Sequence, residues 1–227
     1  MIKKNNSVLV VAAHPDDEAI GCFGTLLKHY KFGDEINIIF LSDGVSSRGI
    51  NKKKKHERKK NCLKVLKIIG LKSKNVFFLD YPDNMIDTVP LLDVIKNIEE
   101  IKKKIQPNVL YTHFSNDLNI DHRIAYQAAI TASRPSKNET IKKILCFEIV
   151  SSTEWSDKNK QIFSPNYFVD ISKFINRKLK ALAIYDKEIK KSPNARSLEN
   201  IKNLALLRGS RAGVNYAEAF FIERIQN

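Results

Sequence analysis

Short β-branched, apolar runs alternate with longer stretches of helical spacing along most of this chain, and that alternation restricts its fold more than any other feature. Residues 7–13, 36–41, 76–79, 108–112 and 145–151 read as strands. Residues 19–30, 56–69, 91–105 and 121–133 place apolar side chains at helical intervals instead. A strand such as Val8-Leu9-Val10-Val11-Ala12-Ala13, apolar at every position, must be covered on both faces. Regular succession of such strands and helices predicts an α/β fold, a mostly parallel sheet flanked by helices.

Residues 7–155 hold this pattern and are expected to form the main α/β core; residues 156–227 read as a closing C-terminal α/β extension. The extension is predicted to contain a strand at 166–170, a helix capped by Ser172 and running to about 189, and a helix over 198–207. Residues 42–55, rich in serine, glycine and lysine, read as a loop. No repeat or flexible linker divides the 227 residues, so 1–227 is expected to be a single domain.

With 43% hydrophobic and 28% charged residues the chain is not a disordered one, and no 18-residue apolar span suggests a transmembrane segment. Cys22, Cys62 and Cys146 are odd in number and widely spaced, which argues against a disulfide framework or a cysteine metal site. With no evident signal peptide, the expected location is cytoplasmic. The net charge of +14 comes mainly from lysine, densest at Lys52-Lys53-Lys54-Lys55. Specific nucleic-acid binding is not expected, since a base-reading surface interleaves arginine and aromatic side chains and these runs do not.

Two predicted strand exits carry the chemistry. The first is His14-Pro15-Asp16-Asp17-Glu18. His14 offers an imidazole nitrogen, and a turn into a helix brings the Asp17 carboxylate toward the same cation, with Pro15 restraining that turn. Asp16 is then left to take a proton from water. The alternative reading of Asp16, Asp17 and Glu18 is an acidic helix start that complements the helix dipole. The second exit closes with His113 and leads to Asp121-His122-Arg123 at the next helix. A parallel sheet sends both exits to one edge, so His122 is a sensible third ligand. A His/Asp/His set leaves an open position on Zn2+ for water and substrate. Asp121 and Glu18 are candidates for orienting the ligands through hydrogen bonds, or else are a cap and a surface acid.

Ala13-His14-Pro15-Asp16-Asp17-Glu18, Leu41-Ser42-Asp43-Gly44 and Asp121-His122-Arg123 together resemble the PIG-L/LmbE-like deacetylases over most of residues 7–135. The resemblance implies a Rossmann-like zinc hydrolase that removes an acyl group, usually acetyl, from an amino sugar or its conjugate. It implies His14, Asp17 and His122 as zinc ligands and Asp16 as general base. One departure stands out: Asn119-Ile120-Asp121-His122 occupies the place where many members have His-Pro-Asp-His. Asn119 can donate a hydrogen bond to an oxyanion but cannot replace the proton transfer of an imidazole. His113 is a second candidate for that role, with a local structural bond as its alternative, and Asp16 acting as base and then acid is a third solution.

Residues 117–123 and Ser151-Ser152-Thr153-Glu154-Trp155 resemble a branch found in bacterial surface-polysaccharide or modified-sugar biosynthesis. That favours an N-acetylated amino sugar carried on a nucleotide or another activating group, with glycolipid and low-molecular-weight thiol precursors as alternatives. A non-enzymatic sugar-binding module is the competing class. Arg48 and Asp83, on loops after the second and third strands, are candidate substrate contacts, as is Arg208-Gly209-Ser210-Arg211, although a loop salt bridge or a helix end explains them equally well.

Overall fold

The computed structural model describes residues 5–49 and 51–226, apart from the Arg48 side chain. Among the described residues seven strands form one sheet: β1 (Ser7–Ala12), β2 (Glu35–Ser42), β3 (Val76–Tyr81), β4 (Val109–His113), β5 (Lys143–Phe147), β6 (Tyr167–Asp170) and β7 (Ala217–Ile225). Their order is β3-β2-β1-β4-β5-β7-β6. The first five pair in parallel, and β7 runs antiparallel to both β5 and β6. The sheet is therefore mostly parallel, as the alternation predicts. Strand order reverses between β1 and β4, and the crevice outside such a switch point is where open α/β sheets bind ligands.

The periodicity of β1 divides the core. Val8, Val10 and Ala12 belong to one buried cluster with Phe23, Leu26, Leu66 and Phe147. Leu9, Val11 and Ala13 belong to the other, with Val94, Ile98, Ala125 and Ala129. Each fully buried aliphatic side chain of this kind contributes about 1.5–3 kcal/mol relative to exposure.

Residues 19–30 were expected as one helix, but the structure has two, α1 (Asp17–Gly21) and α2 (Phe23–Lys31), broken at Cys22 with φ −145°. Gly21 and Gly24 let this pair lie close to its neighbours: a Cβ would stand 2.6 Å from Phe147 and 2.7 Å from Ile171, respectively. The buried Glu218 of β7 accepts the Gly24 and Thr25 N–H groups at 2.9 and 2.7 Å. Lys178 pairs with Glu218 at 2.6 Å, so this buried carboxylate carries both a counter-ion and hydrogen bonds.

Helix α3 (Lys52–Ile69) begins within the stretch expected as a loop. Asn51 accepts the Lys54 N–H at 3.0 Å as an N-cap, and a solvated helical turn needs no apolar residues. Helices α4 (Leu91–Ile105) and α5 (Ile120–Ala132) follow the expected plan. Strand β5 covers less than 145–151, because the chain turns after Phe147 and Ile149 N–H bonds the Thr153 hydroxyl at 2.8 Å. In the extension, α6 (Ile175–Ile184) is shorter than predicted and α7 (Leu198–Ala212) is longer. Gly209 lies inside α7 rather than ending it; the helix stops at Gly213, φ 69°. Strand β7 was not anticipated at all. Among the described residues no helix is long and apolar enough to cross a membrane. All three cysteines are unpaired and buried.

Candidate active site

The C-terminal ends of β1 and β4 bring the two histidine motifs together across the switch point. His14 follows β1 and lies 3.5 Å, Nδ1 to Oδ2, from Asp17 at the start of α1. His122 in the first turn of α5 places Nε2 3.5 Å from Asp17 Oδ1. The Leu41-Ser42-Asp43-Gly44 segment closes the wall behind them: Ser42 N–H bonds Ala13 O at 2.8 Å, and a Cβ on Gly44, φ 70°, would stand 3.1 Å from that of His14.

Each imidazole is held by a carboxylate on its far side. Asp121 Oδ2 meets His14 Nε2 at 3.0 Å and is itself fixed by the Asn84 and Ile86 N–H groups at 2.7 and 3.0 Å. Asp117 Oδ1 meets His122 Nδ1 at 3.0 Å, while Thr153 and Ser152 donate hydroxyl bonds to the same acid. Burial opposes ionisation of Asp117, but His122 and the two hydroxyls outweigh it and hold this carboxyl down at about 2. With Asp117 ionised, Nδ1 is the donor of this pair, so that a neutral His122 ring carries its lone pair on Nε2.

Among the described residues that nitrogen has no partner, and neither has Asp17 Oδ1, although both atoms are fully buried. Burial alone would raise the Asp17 pKa, yet His122, His113 and His14 reverse that and hold it well below the usual carboxylate range. Two orphaned buried acceptors aimed at one point, beside His14, fit a cation with nitrogen and oxygen ligands such as zinc. A second cluster, His14, Asp83 and Asp121, also has suitable donor types. Its atoms already satisfy one another, with His14 Nε2 lying 3.0 Å from Asp121 and 3.3 Å from Asp83. It is the scaffold that aims the His14 ring.

Asp16 sits apart from these atoms in a turn with φ 132°, a strained value for a residue with a side chain. Its Oδ1 meets Arg58 at 3.0 Å and its Oδ2 meets Arg196 at 2.8 Å. Glu18 accepts the Asp16 N–H at 2.9 Å and the Tyr185 hydroxyl at 2.7 Å. Burial pushes the Glu18 carboxyl up to about 8 despite those two donors. Glu18 thus braces the turn from below. Neither Arg58 nor Arg196 was singled out from the sequence. A faint signal existed, since the chain has nine arginines against thirty lysines.

Other candidates lie elsewhere than expected. His113 is fully buried behind Asp17 and His122, stacked on the His122 ring at 4.1 Å. Its Nε2 accepts the Ala13 N–H at 2.9 Å, and burial, reinforced by His122, lowers its pKa to about 4. A neutral, enclosed ring is placed to brace the ligands and not to exchange protons with substrate. Asn119 caps α5 by accepting the Asp121 N–H at 2.8 Å on its carbonyl oxygen and donates one of its two amide N–H groups to Asn84 Oδ1 at 3.0 Å. Asp83 is buried and bonded to Ser47 N–H at 3.1 Å and to the Ser47 hydroxyl, so it shapes the mouth from within. The Arg48 side chain falls outside the described residues. Arg208 forms a two-point pair with Glu148 at 2.8 and 2.6 Å and is a structural residue.

Comparison with known proteins supplies independent ground. The chain is 31% identical over 166 residues to the uncharacterized deacetylase YaiS of Escherichia coli K12, covering 70% of this chain and 82% of that protein. It is 25% identical over 230 aligned residues to the diacetylchitobiose deacetylase of Thermococcus kodakarensis, covering 93% of this chain and 80% of the relative. Among solved structures, GalB of Pseudomonas putida KT2440, a 4-carboxy-2-hydroxymuconate hydratase, shares the fold with a TM-score of 0.76 at 22% identity, covering 98% of each chain. A fold that also serves a hydratase does not choose the reaction by itself. Residues 9–133, which contain both histidine motifs, match the family described as PIG-L: GlcNAc-PI de-N-acetylase, and the chain belongs to that family.

Proposed function

We propose that this protein is a zinc-dependent N-deacetylase that hydrolyses the acetamide of an N-acetylated amino sugar. The observation that carries the reading is the pair of unpartnered, buried acceptors Asp17 Oδ1 and His122 Nε2 beside His14, with a carboxylate behind each imidazole. Deacetylase relatives agree with it. Zinc held by His14, Asp17 and His122 would supply Lewis acidity, making water more acidic and polarising the acetamide carbonyl.

The chain's own groups do the rest. Asp121 and Asp117 fix the two imidazoles so that each offers its lone pair in one direction. Asp16 takes a proton from the attacking water and returns it to the departing nitrogen, so that amide and water give acetate and free amine. One carboxylate serving in both directions suits this site, because the Asn119 amide cannot transfer a proton and His113 is enclosed. Met85, Leu118 and Trp155 are exposed on the loops that carry Asn84, Asp117 and Ser152, and supply apolar area where a sugar ring can rest.

A nucleotide-linked N-acetyl sugar is the substrate we favour. The exposed Lys52, Lys53 and Lys54 extend from the helix that delivers Arg58, an arrangement that attracts anionic conjugates. Three reduced, buried cysteines suit a cytoplasmic setting, and the sharing of one sheet by β1–β5 and β6–β7 suits a single catalytic domain spanning 1–227. The test is acetate release by zinc-loaded protein from N,N'-diacetylchitobiose, N-acetylglucosamine 1-phosphate and a uridine-diphosphate N-acetyl sugar. Release from at least one, fastest from the nucleotide conjugate, is expected; tight binding to all three without acetate would leave the non-enzymatic sugar-binding module.

A further inference from the structure

Asp16 and Asp17 are adjacent carboxylates in the same turn, and by composition either can complete a set with two histidines. Their surroundings separate them. Asp17 has one oxygen on the His14 N–H at 2.8 Å and the other unpartnered, whereas both Asp16 oxygens meet guanidinium groups. We propose that Arg58 and Arg196 are positioning residues that assign these two acids, holding Asp16 away from the metal as a free base and leaving Asp17 as the ligand. The proposal rests on the zinc-deacetylase reading and adds a role for the C-terminal extension within it.

Both arms are themselves immobilised. Arg58 is 7% exposed, and its second terminal nitrogen pairs with Glu188 at 2.7 Å while the guanidinium lies 5.3 Å from the Tyr185 ring centre. Arg196 donates through Nε to the Ser151 hydroxyl at 2.8 Å and through NH1 to Asp16. Glu188, Tyr185 and Arg196 all come from the extension: Tyr185 and Arg196 reach the turn directly, at Glu18 and Asp16, and Glu188 holds Arg58. A planar guanidinium with donors in a fixed fork restricts an acceptor more tightly than a lysine ammonium can, and both positions are arginine in a chain dominated by lysine. A carboxylate offers about four lone-pair sites, so two donors leave room for a water proton. Without Arg196, Arg58 still holds Oδ1 of Asp16, but Oδ2 in the strained turn is released and can turn toward the metal, filling the position that water and substrate need.

Arg196→Ala tests this, because the Arg196 side chain, 21% exposed, is the more accessible of the two arms and its removal leaves Arg58 in place. The parent and the variant, shown by circular dichroism to be equally folded, are loaded with Co2+ in place of zinc. The expected result is a weaker, shifted visible spectrum in the variant as an added carboxylate raises the coordination number. Turnover of N,N'-diacetylchitobiose should fall about tenfold or more with KM unchanged, and added guanidinium at non-denaturing concentration should restore both spectrum and rate. Arg196→Gln, which keeps a donor toward Ser151, is the companion variant and should show the same spectral change. An unchanged cobalt spectrum in both variants overturns the proposal whatever the turnover does. Loss of acetamide cleavage in the parent would instead sink the deacetylase reading, while its cobalt spectrum still decides the clamp; a parent that binds no cobalt refutes both.

Discussion

Residues 7–133 and residues 134–227 build the same site by different means. The first part supplies the ligands near its strand ends, His14 and Asp17 just after β1 and His122 in the first turn of the helix after β4, and adds two orienting groups of its own, Asp121 on His14 and Arg58 on Asp16. The second part works through long range, sending Arg196 to Asp16, Tyr185 to Glu18 and Glu218 to the amides of α2. Local turns choose which groups can react; distant contacts decide how those groups are aimed.

If that division holds, damage to the first part should abolish chemistry and damage to the second should detune it. The largest effect is expected from His122→Ala. Removing a ligand should cut zinc affinity by more than the roughly 100-fold that follows loss of an orienting partner, measured by competition with a chromogenic chelator. Asp16→Asn comes next: turnover should drop about 10²- to 10⁴-fold while metal stoichiometry stays at the parent value. A variant that keeps its rate would remove Asp16 from the chemistry.

Asp117→Asn sits at the boundary between the two regions, because its acid comes from the β4 exit and its hydroxyl donors Ser152 and Thr153 come after β5. Zinc affinity should fall about 10- to 100-fold, and an affinity equal to the parent's would show that His122 needs no such orientation. The smallest effect belongs to packing between the regions. Gly24→Ala places a methyl 2.7 Å from Ile171, and urea unfolding should show a loss of about 1–3 kcal/mol with the rate per folded molecule retained. A loss confined to activity would mean that α2 transmits more to the site than stability.

The same contrast explains what the sequence revealed. The parallel core was legible because each buried strand is an uninterrupted apolar run, and the ligand candidates because a parallel sheet sends His14 and His122 to one edge. The orienting acid Asp117 stood in a quoted motif, but its pairing depends on Ser152 and Thr153, more than thirty positions away. Strand β7 escaped because its partners β5 and β6 lie far back in the chain and it pairs with both antiparallel, outside the strand–helix alternation that marks the rest of the sheet. The start of α3 escaped because four lysines in succession lack apolar periodicity, while an asparagine cap is enough to begin a helix. His113 looked accessible as the last residue of a strand, yet the stacked His122 ring and an edge contact with Phe147 enclose it.

The central claim is that one metal is held by His14, Asp17 and His122 with room beside it for an acetamide. A crystal structure of the zinc-loaded protein with a non-hydrolysable analogue of an N-acetyl sugar, with anomalous scattering recorded at the zinc edge, tests it directly. The expected map has a single strong peak between His14 Nδ1, Asp17 Oδ1 and His122 Nε2, with the analogue's carbonyl toward it and Asp16 still between its two arginines. A peak centred instead on His14 Nε2, Asp83 and Asp121, or one with Asp16 as a ligand and no space for the acetamide, would contradict the account.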